Sequence, residues 1–324
     1  MAEMKILYLS KANVEAIKLP MGEIIGALEN MFREKGEGRT EMPPKPGIHP
    51  RRDAFIHAMA AYIPNIQSAG LKWVAGYPQN QAKGLPYISG LLILNDPETG
   101  FPIAVMDCTW ITAQRTGAAT ALAAKYLARM ESRTVGIVAC GVQGRSNLAA
   151  LACCFKIDKV KAYDIHTEVA RRFAAEMAET LRLEIEPVAN VADAAQKLDL
   201  VVTSGPILKT PHATIPAGWL AEGSFASLVD FDSYWSGAAL READKLATDD
   251  KGQMTYYRSL GYFRETPEPY ADLGELASGK KPGRESAQER TFAVNLGLAL
   301  DDMATAILIY RRAKEMGIGR ELPL

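Results

Sequence analysis

Residues 133–147 read RTVGIVACGVQGRSN, an apolar run followed by glycines at 141 and 144 and then a polar stretch. A strand meeting a helix through such a turn needs glycine if it is to bind a dinucleotide. A side chain there would keep a pyrophosphate away from the amides of the helix start. The GxGxxG pattern is filled as Ala139, Gly141 and Gly144, so the middle glycine is present and the first is replaced. Val142 and Gln143 complete the turn. The apolar run predicts a strand over 134–139, and a helix follows from about Gln143, with Leu148, Leu151, Ala152 and Phe155 on one face. Asp164 ends the next predicted strand, VKAYDIH, twenty positions after Gly144, where a carboxylate can hold a ribose 2′-hydroxyl. It would repel a 2′-phosphate, which favours NAD over NADP; Arg145 and His166 nearby keep NADP open. Taken alone, the stretch also fits a plain strand-to-helix junction in another doubly wound fold.

Working outward, the rhythm on the C-terminal side is helix and strand in alternation. Thr167 is placed to cap the helix EVARRFAAEMAETL, and further strands are expected near 183–188, 200–203 and 224–229. Such alternation implies a parallel sheet covered by helices, an α/β Rossmann-type fold. Thr203, Ser204 and Gly205 end one of its strands, the edge at which such sheets bind ligands. On the N-terminal side a helix opens at Pro20, and strands at 55–63, 70–77, 87–95 and 101–108 are separated by proline or glycine, with NDPETG as a turn between the last two. Strands joined so tightly must be mostly antiparallel. The alanine-rich ITAQRTGAATALAAKYLAR predicts a helix between the two regions, and GLALDDMATAILIYRRAKEMG a final one. KKPGRES at 280–286 is the most linker-like stretch.

The 324 residues exceed the usual size of a single core, so two domains are expected. With 37 basic and 38 acidic residues interspersed, no positive field suits nucleic acid or anionic lipid, and the partner expected is a small molecule. No stretch approaches the roughly 20 apolar residues of a membrane span. The opening MAEMKILYLSKANVEAIKLP has no apolar segment followed by a small-residue cleavage site, so the expected location is the cytoplasm. The four cysteines, 108, 140, 153 and 154, form no CxxC pair; they predict buried thiols and no metal site.

Several motifs in order, MPPK at 42–45, AGLKWV at 69–74, GLPYISGLLILNDPETGFPIAVMD at 84–107, RTGAAT at 115–120, CGVQG at 140–144 and GLALDDMATA at 297–306, resemble the ornithine cyclodeaminase/μ-crystallin family, and within it the archaeal-type alanine dehydrogenase branch. The resemblance covers nearly the whole length. It implies a substrate and dimerisation domain in two segments, 1–118 and 301–324, around an NAD(P)-binding Rossmann domain at 119–300, and a homodimer. It also implies hydride transfer at the amine- or imine-bearing carbon of a small amino acid, imine or 2-keto acid. A cyclodeaminase using NAD catalytically, an enzyme joining an amine to a 2-keto acid, and a ligand-binding protein like μ-crystallin are the alternatives.

Strand alternation sets Lys72 on the face opposite Leu71 and Trp73. A strand lysine is ordinarily solvated, but the family's lysine in this motif meets the substrate, where an ammonium stabilises charge as hydride arrives. The Arg115 guanidinium suits a planar carboxylate, and Lys45 would be a second cation there. His57 stands where the alanine dehydrogenase branch tends to have arginine. By resemblance Thr116 would donate to cofactor phosphate, and Asn295 and Gly297 would approach the nicotinamide. The family's acid/base aspartate aligns, counting from Gly223 in GSFASLVDFDSYW, with Asp232, and Asp230 replaces a glycine. Either carboxylate could move the proton; Asp232 is the choice. Tyr234, Trp235 and the aromatics of TYYRSLGYF at 255–263 suggest an apolar or larger ligand than alanine if they border the pocket.

Overall fold

The computed structural model describes residues 4–51 and 54–324, and divides into two compact units, Met1–Arg115 with Leu298–Leu324, and Thr116–Gly297.

The first unit is built on a seven-stranded sheet, ordered Arg320–Pro323, Lys5–Leu9, Pro102–Asp107, Ile88–Asn95, Ser68–Gly76, Ala54–Ile63, Gly47–Arg51. The four strands expected from sequence form its centre, and all pair antiparallel. Lys5–Leu9 joins the edge in parallel and the C-terminal strand lies beyond it, antiparallel. These edge strands are too short and too exposed to announce themselves by alternation. One face of the sheet carries Met59, Ala61, Ile63, Val74, Leu92, Leu94, Ala104 and Met106, all buried. Against it packs the closing helix Ala299–Met316, and Ser68 Oγ donates to its Met303 carbonyl at 2.9 Å. Helix Met21–Gly36 packs in turn on the closing helix and buries Ile24, Leu28, Met31 and Phe32 at helical spacing. On Ser68–Gly76 alternation buries Lys72, at 1% exposure, and leaves Trp73 at 45%. The usual preference of a strand for burying its aromatic and solvating its lysine is inverted here.

The second unit holds an eight-stranded sheet, parallel throughout, in the order Ala271–Asp272, Lys245–Thr248, Thr291–Val294, Phe225–Leu228, Leu200–Thr203, Thr134–Val138, Lys159–Tyr163, Glu184–Pro187. From the pair Thr134–Val138 and Leu200–Thr203 the chain winds both ways, as in a doubly wound sheet, with the late strand Thr291–Val294 inserted between Phe225–Leu228 and Lys245–Thr248. Three strands were not expected from sequence, because runs of two to four residues among loops carry no period.

Four local expectations are corrected. Thr167 is the first helical residue rather than the cap, which is His166 without a side-chain bond. Cys153 is exposed, so not all four thiols are buried. KKPGRES is no linker: Arg284 within it donates to the carbonyls of Leu127 (2.7 Å), Ser224 (3.1 Å) and Glu289 (2.6 Å), and its amide bonds to the Tyr126 carbonyl. Lastly, the aromatics of 255–263 do not add up to a pocket lining. Tyr257 and Phe263 join Phe231 and Trp235 in the buried core of the second unit, with Tyr256 and Tyr262 packed against it. Trp235 meets Phe292 edge-on at 5.1 Å.

Candidate functional site

In the second unit the strand Thr134–Val138 runs into the motif helix Val142–Cys154 through the quoted glycine turn. Gly141 is the cap residue and no side chain caps the first amides. A Cβ at 141 would meet nothing within 4 Å, whereas one at 144 would lie 2.6 Å from the Ala139 carbonyl oxygen. The first glycine therefore leaves the helix start open and the second lets the helix close on its strand. Ala139, in place of the pattern's first glycine, nevertheless takes the left-handed backbone that glycine would adopt, φ 74°. Its amide donates to the Tyr163 carbonyl at 2.8 Å and its carbonyl accepts from Ser204 Oγ at 3.0 Å.

Asp164 supports this turn directly. One carboxylate oxygen accepts from the Cys140 amide and the other from the His166 amide, both at 2.9 Å. Arg145, which the sequence left as a contact for a 2′-phosphate, turns to Glu176 at 2.6 Å and to the carbonyls of Cys140 and Gly141. Gln143 contributes its carbonyl to Asn147 Nδ2, at 2.8 Å, and Val142 stands out at 67% exposure. Thr116 is buried in the alanine-rich helix Thr109–Leu127, beside Gly117, which touches the backbone of the motif helix.

The open edge of the same sheet carries the two aspartates. Asp230 is fully buried; Thr203 Oγ1 donates to it at 2.7 Å and the Gly205 amide at 2.9 Å. Burial, opposed by these bonds and reinforced by the nearby Asp232, pushes its pKa up to about 7. Thr203 Oγ1 also accepts from Trp235 Nε1 at 3.2 Å, so that hydroxyl is engaged within the unit. Asp232 accepts from Thr266 Oγ1 at 3.0 Å through one oxygen, while Oδ1 is buried with no partner among the described residues. Its pKa too is raised by burial. Between them Phe231 holds a left-handed φ of 63°. Asn295 donates to Thr120 Oγ1 at 3.2 Å and Ser227 Oγ at 3.0 Å and keeps its own buried Oδ1 unpartnered among the described residues; the Gly297 amide donates to Asp249 at 2.6 Å.

In the first unit the predicted cations come together, and with them two acids that sequence reading passed over. The Lys72 ammonium lies 2.6 Å from Asp302 Oδ2 and donates to Thr112 Oγ1 at 3.4 Å. Arg115 Nε donates to Asp302 Oδ1 at 3.1 Å, and its Nη1 lies 3.7 Å from Asp301. All four charged side chains are buried. Burial and the neighbouring Arg115 pull the Lys72 pKa down, against Asp302. Burial, joined by the charges of the buried Lys45, His49 and Lys72, presses the pKa of His57 down to about 3, leaving a neutral imidazole stacked on Phe55 at 4.3 Å. Asp301 and Asp302 were visible only as acids opening a helix, where the helix dipole favours them anyway.

Among the described residues no group of three His, Cys, Asp or Glu is placed to hold a metal, and no helix is long and apolar enough to cross a membrane. The uncapped helix start, the open space at Gly141 and the unpartnered Asn295 Oδ1 are compatible with a dinucleotide. Fold and turn together define the class: a protein with a doubly wound dinucleotide-type domain and a separate unit bearing buried cations. The sequence model of the ornithine cyclodeaminase/mu-crystallin family matches residues 4–317, and the chain belongs to that family. It is 35% identical to an alanine dehydrogenase of Archaeoglobus fulgidus, over 98% of each chain. A solved Δ1-pyrroline-2-carboxylate reductase of Thermococcus litoralis, in complex with NADH and L-proline, is 34% identical with a TM-score of 0.89, covering 97% of this chain and 99% of that one. A solved archaeal alanine dehydrogenase dimer with bound NAD is 34% identical with a TM-score of 0.88, covering 99% and 100%.

Proposed function

We propose that this chain is an NAD-dependent oxidoreductase acting at the amine or imine carbon of a small amino acid, or of the matching imine or 2-keto acid. The observation that carries the reading is the pair of buried cations, Lys72 and Arg115, in a chain whose other unit has an uncapped glycine turn. Asp301 and Asp302 supply the counter-charge that lets the two cations be buried, and the five N–H donors of the guanidinium exceed those that these two acids engage, leaving it able to meet a further anion. A carboxylate is the anion common to the substrates of the reading, and Arg115 suits its plane. Lys72, donating to a second oxygen, would stabilise negative charge there, with Lys45 and neutral His57 completing the substrate contacts. Asp232 Oδ1, buried without a partner, is the atom proposed to take the proton released as an amine becomes an imine, or to return it. Asp230 has both oxygens engaged, which supports the choice of Asp232.

When bound, the dinucleotide supplies the hydride acceptor and donor. Gly141, Val142, Gln143 and Gly144 would hold its phosphates, Asp164 its ribose, and Thr116, Ser204, Asn295 and Gly297 the remainder; Thr203 supports that edge through Asp230. Asp164 favours NADH, and Arg145 is occupied with Glu176. Binding titrations of NADH and NADPH test this choice, and clearly tighter NADPH binding refutes it. The activity is tested by offering pyruvate with ammonia, and Δ1-pyrroline-2-carboxylate, each with NADH. A parallel assay of ornithine with NAD separates a cyclodeaminase, which shows no net NADH change. No turnover of any of these despite tight cofactor binding would favour a binding protein instead.

The exposed face of the first unit's sheet supports a homodimer. Ala60, Leu71, Ile93, Val105 and Tyr8 form one cross-strand row, with Trp73 and Leu91 paired beside it. A second copy is the proposed cover. Sedimentation equilibrium of the wild type and of Trp73→Glu tests it, the variant being expected as monomer.

A further inference from the structure

Lys72 and Arg115 share one carboxylate, and each takes a different oxygen of it: Asp302 Oδ2 for the ammonium, Oδ1 for the guanidinium Nε. The three groups come from three elements, strand Ser68–Gly76, helix Thr109–Leu127 and helix Ala299–Met316. Asp302 is not needed to cap its helix, because Asp301 does that, accepting from the Leu298 amide at 3.1 Å. Nor does solvent reach it, for it is fully buried. Resting on the reading that these cations receive a substrate carboxylate, we propose that Asp302 is a positioning residue: a resident counter-ion that holds the Lys72 ammonium and the Arg115 edge at fixed separation.

An incoming carboxylate then meets oriented donors rather than two cations pushed apart by mutual repulsion. Asp302 also opposes the burial that would strip Lys72 of its proton. The other groups facing that ammonium are Arg115 and Thr112 from the alanine-rich helix, Cys108 ahead of it, and His57 on the adjoining strand.

The test is Asp302→Asn, which keeps the shape and removes the charge, with sodium acetate as the probe on the cofactor-free protein at constant ionic strength. Thermal unfolding of the variant is expected to begin lower than wild type and to recover with acetate at a concentration at least tenfold below that at which wild type responds. An acetate response equal to wild type overturns the proposal. With a turned-over substrate, kcat is expected to fall while KM does not rise, and the alkaline limb of the pH profile should move to lower pH by about a unit or more. A limb that stays in place overturns the proposal. If Asp302→Asn alone does not fold, the double variant Lys72→Met/Asp302→Asn should fold, since one buried cation leaves with its counter-ion; failure of both overturns the counter-ion role. Should wild type turn over no substrate, the proposed activity fails while the acetate arm still decides this inference.

Discussion

Gly117→Ala sets local propensity against packing. Gly117 lies inside the helix Thr109–Leu127, where alanine is favoured over glycine by about 1 kcal/mol. Local reasoning therefore expects the change to stabilise. A Cβ at 117, however, would lie 2.3 Å from the Ser146 carbonyl oxygen and 2.6 Å from its carbon, and this obstacle is the backbone of the motif helix rather than the end of a flexible side chain. That is roughly 1 Å inside ordinary contact, so one helix must move. Overpacking costs about 1–3 kcal/mol, and a backbone obstacle argues for the upper end. Setting about 3 against about 1 leaves a net loss of about 2 kcal/mol. For a unit of this size that lowers the midpoint of thermal unfolding by about 4–8 °C. Scanning calorimetry of the two proteins, backed by urea unfolding, measures it. A variant as stable as wild type, or more so, would refute the packing argument. The displaced motif helix should also weaken NADH binding, read in the same samples by fluorescence titration.

Ala139→Gly should stabilise: the left-handed backbone costs alanine about 1–2 kcal/mol, and glycine's extra freedom in the unfolded chain returns roughly 0.5–1, for a net gain of about 0.5–1 kcal/mol in urea unfolding. Asp230 and His57 should give opposite pH slopes to stability. The folded chain holds the Asp230 proton up to about pH 7 against an ordinary 3.8, so its contribution to stability falls as pH rises through that window. His57, pressed from 6.5 to about 3, contributes stability that is lost as pH falls below 6.5 and is gone near 3. Urea midpoints between pH 4 and 7 should therefore lose a declining component in Asp230→Asn and a rising one in His57→Gln, and unchanged slopes would count against both assignments. Arg284→Met should destabilise markedly despite its loop position, because it removes the donor to the Glu289 carbonyl and one of the two donors to each of the Leu127 and Ser224 carbonyls, which keep only Thr291; a change within experimental error would return that segment to the status of a linker.

Much of this was legible in the chain because the controlling forces act over a few residues. The period of two in AGLKWVAG put Lys72 opposite Trp73, and the strand, turn and helix around CGVQG follow from local apolar spacing and the glycines. Alternation of such segments sufficed for the parallel sheet. Short strands such as Lys245–Thr248 and Thr291–Val294 escaped, since four residues hold too little period and are specified by the neighbours they pair with.

Tertiary structure decided the rest. Alternation says that Lys72 and Trp73 face opposite ways, but not which side is buried; the closing helix, arriving from the far end of the chain, decides that. The same helix brings Asp302 to Arg115 across 187 residues of sequence. Packing also turned the aromatics of 255–263 inward and pinned Arg284 within the second unit. Backbone period and turn chemistry are written in neighbouring residues, whereas charge pairing and steric exclusion depend on distances that exist only once the chain has closed on itself.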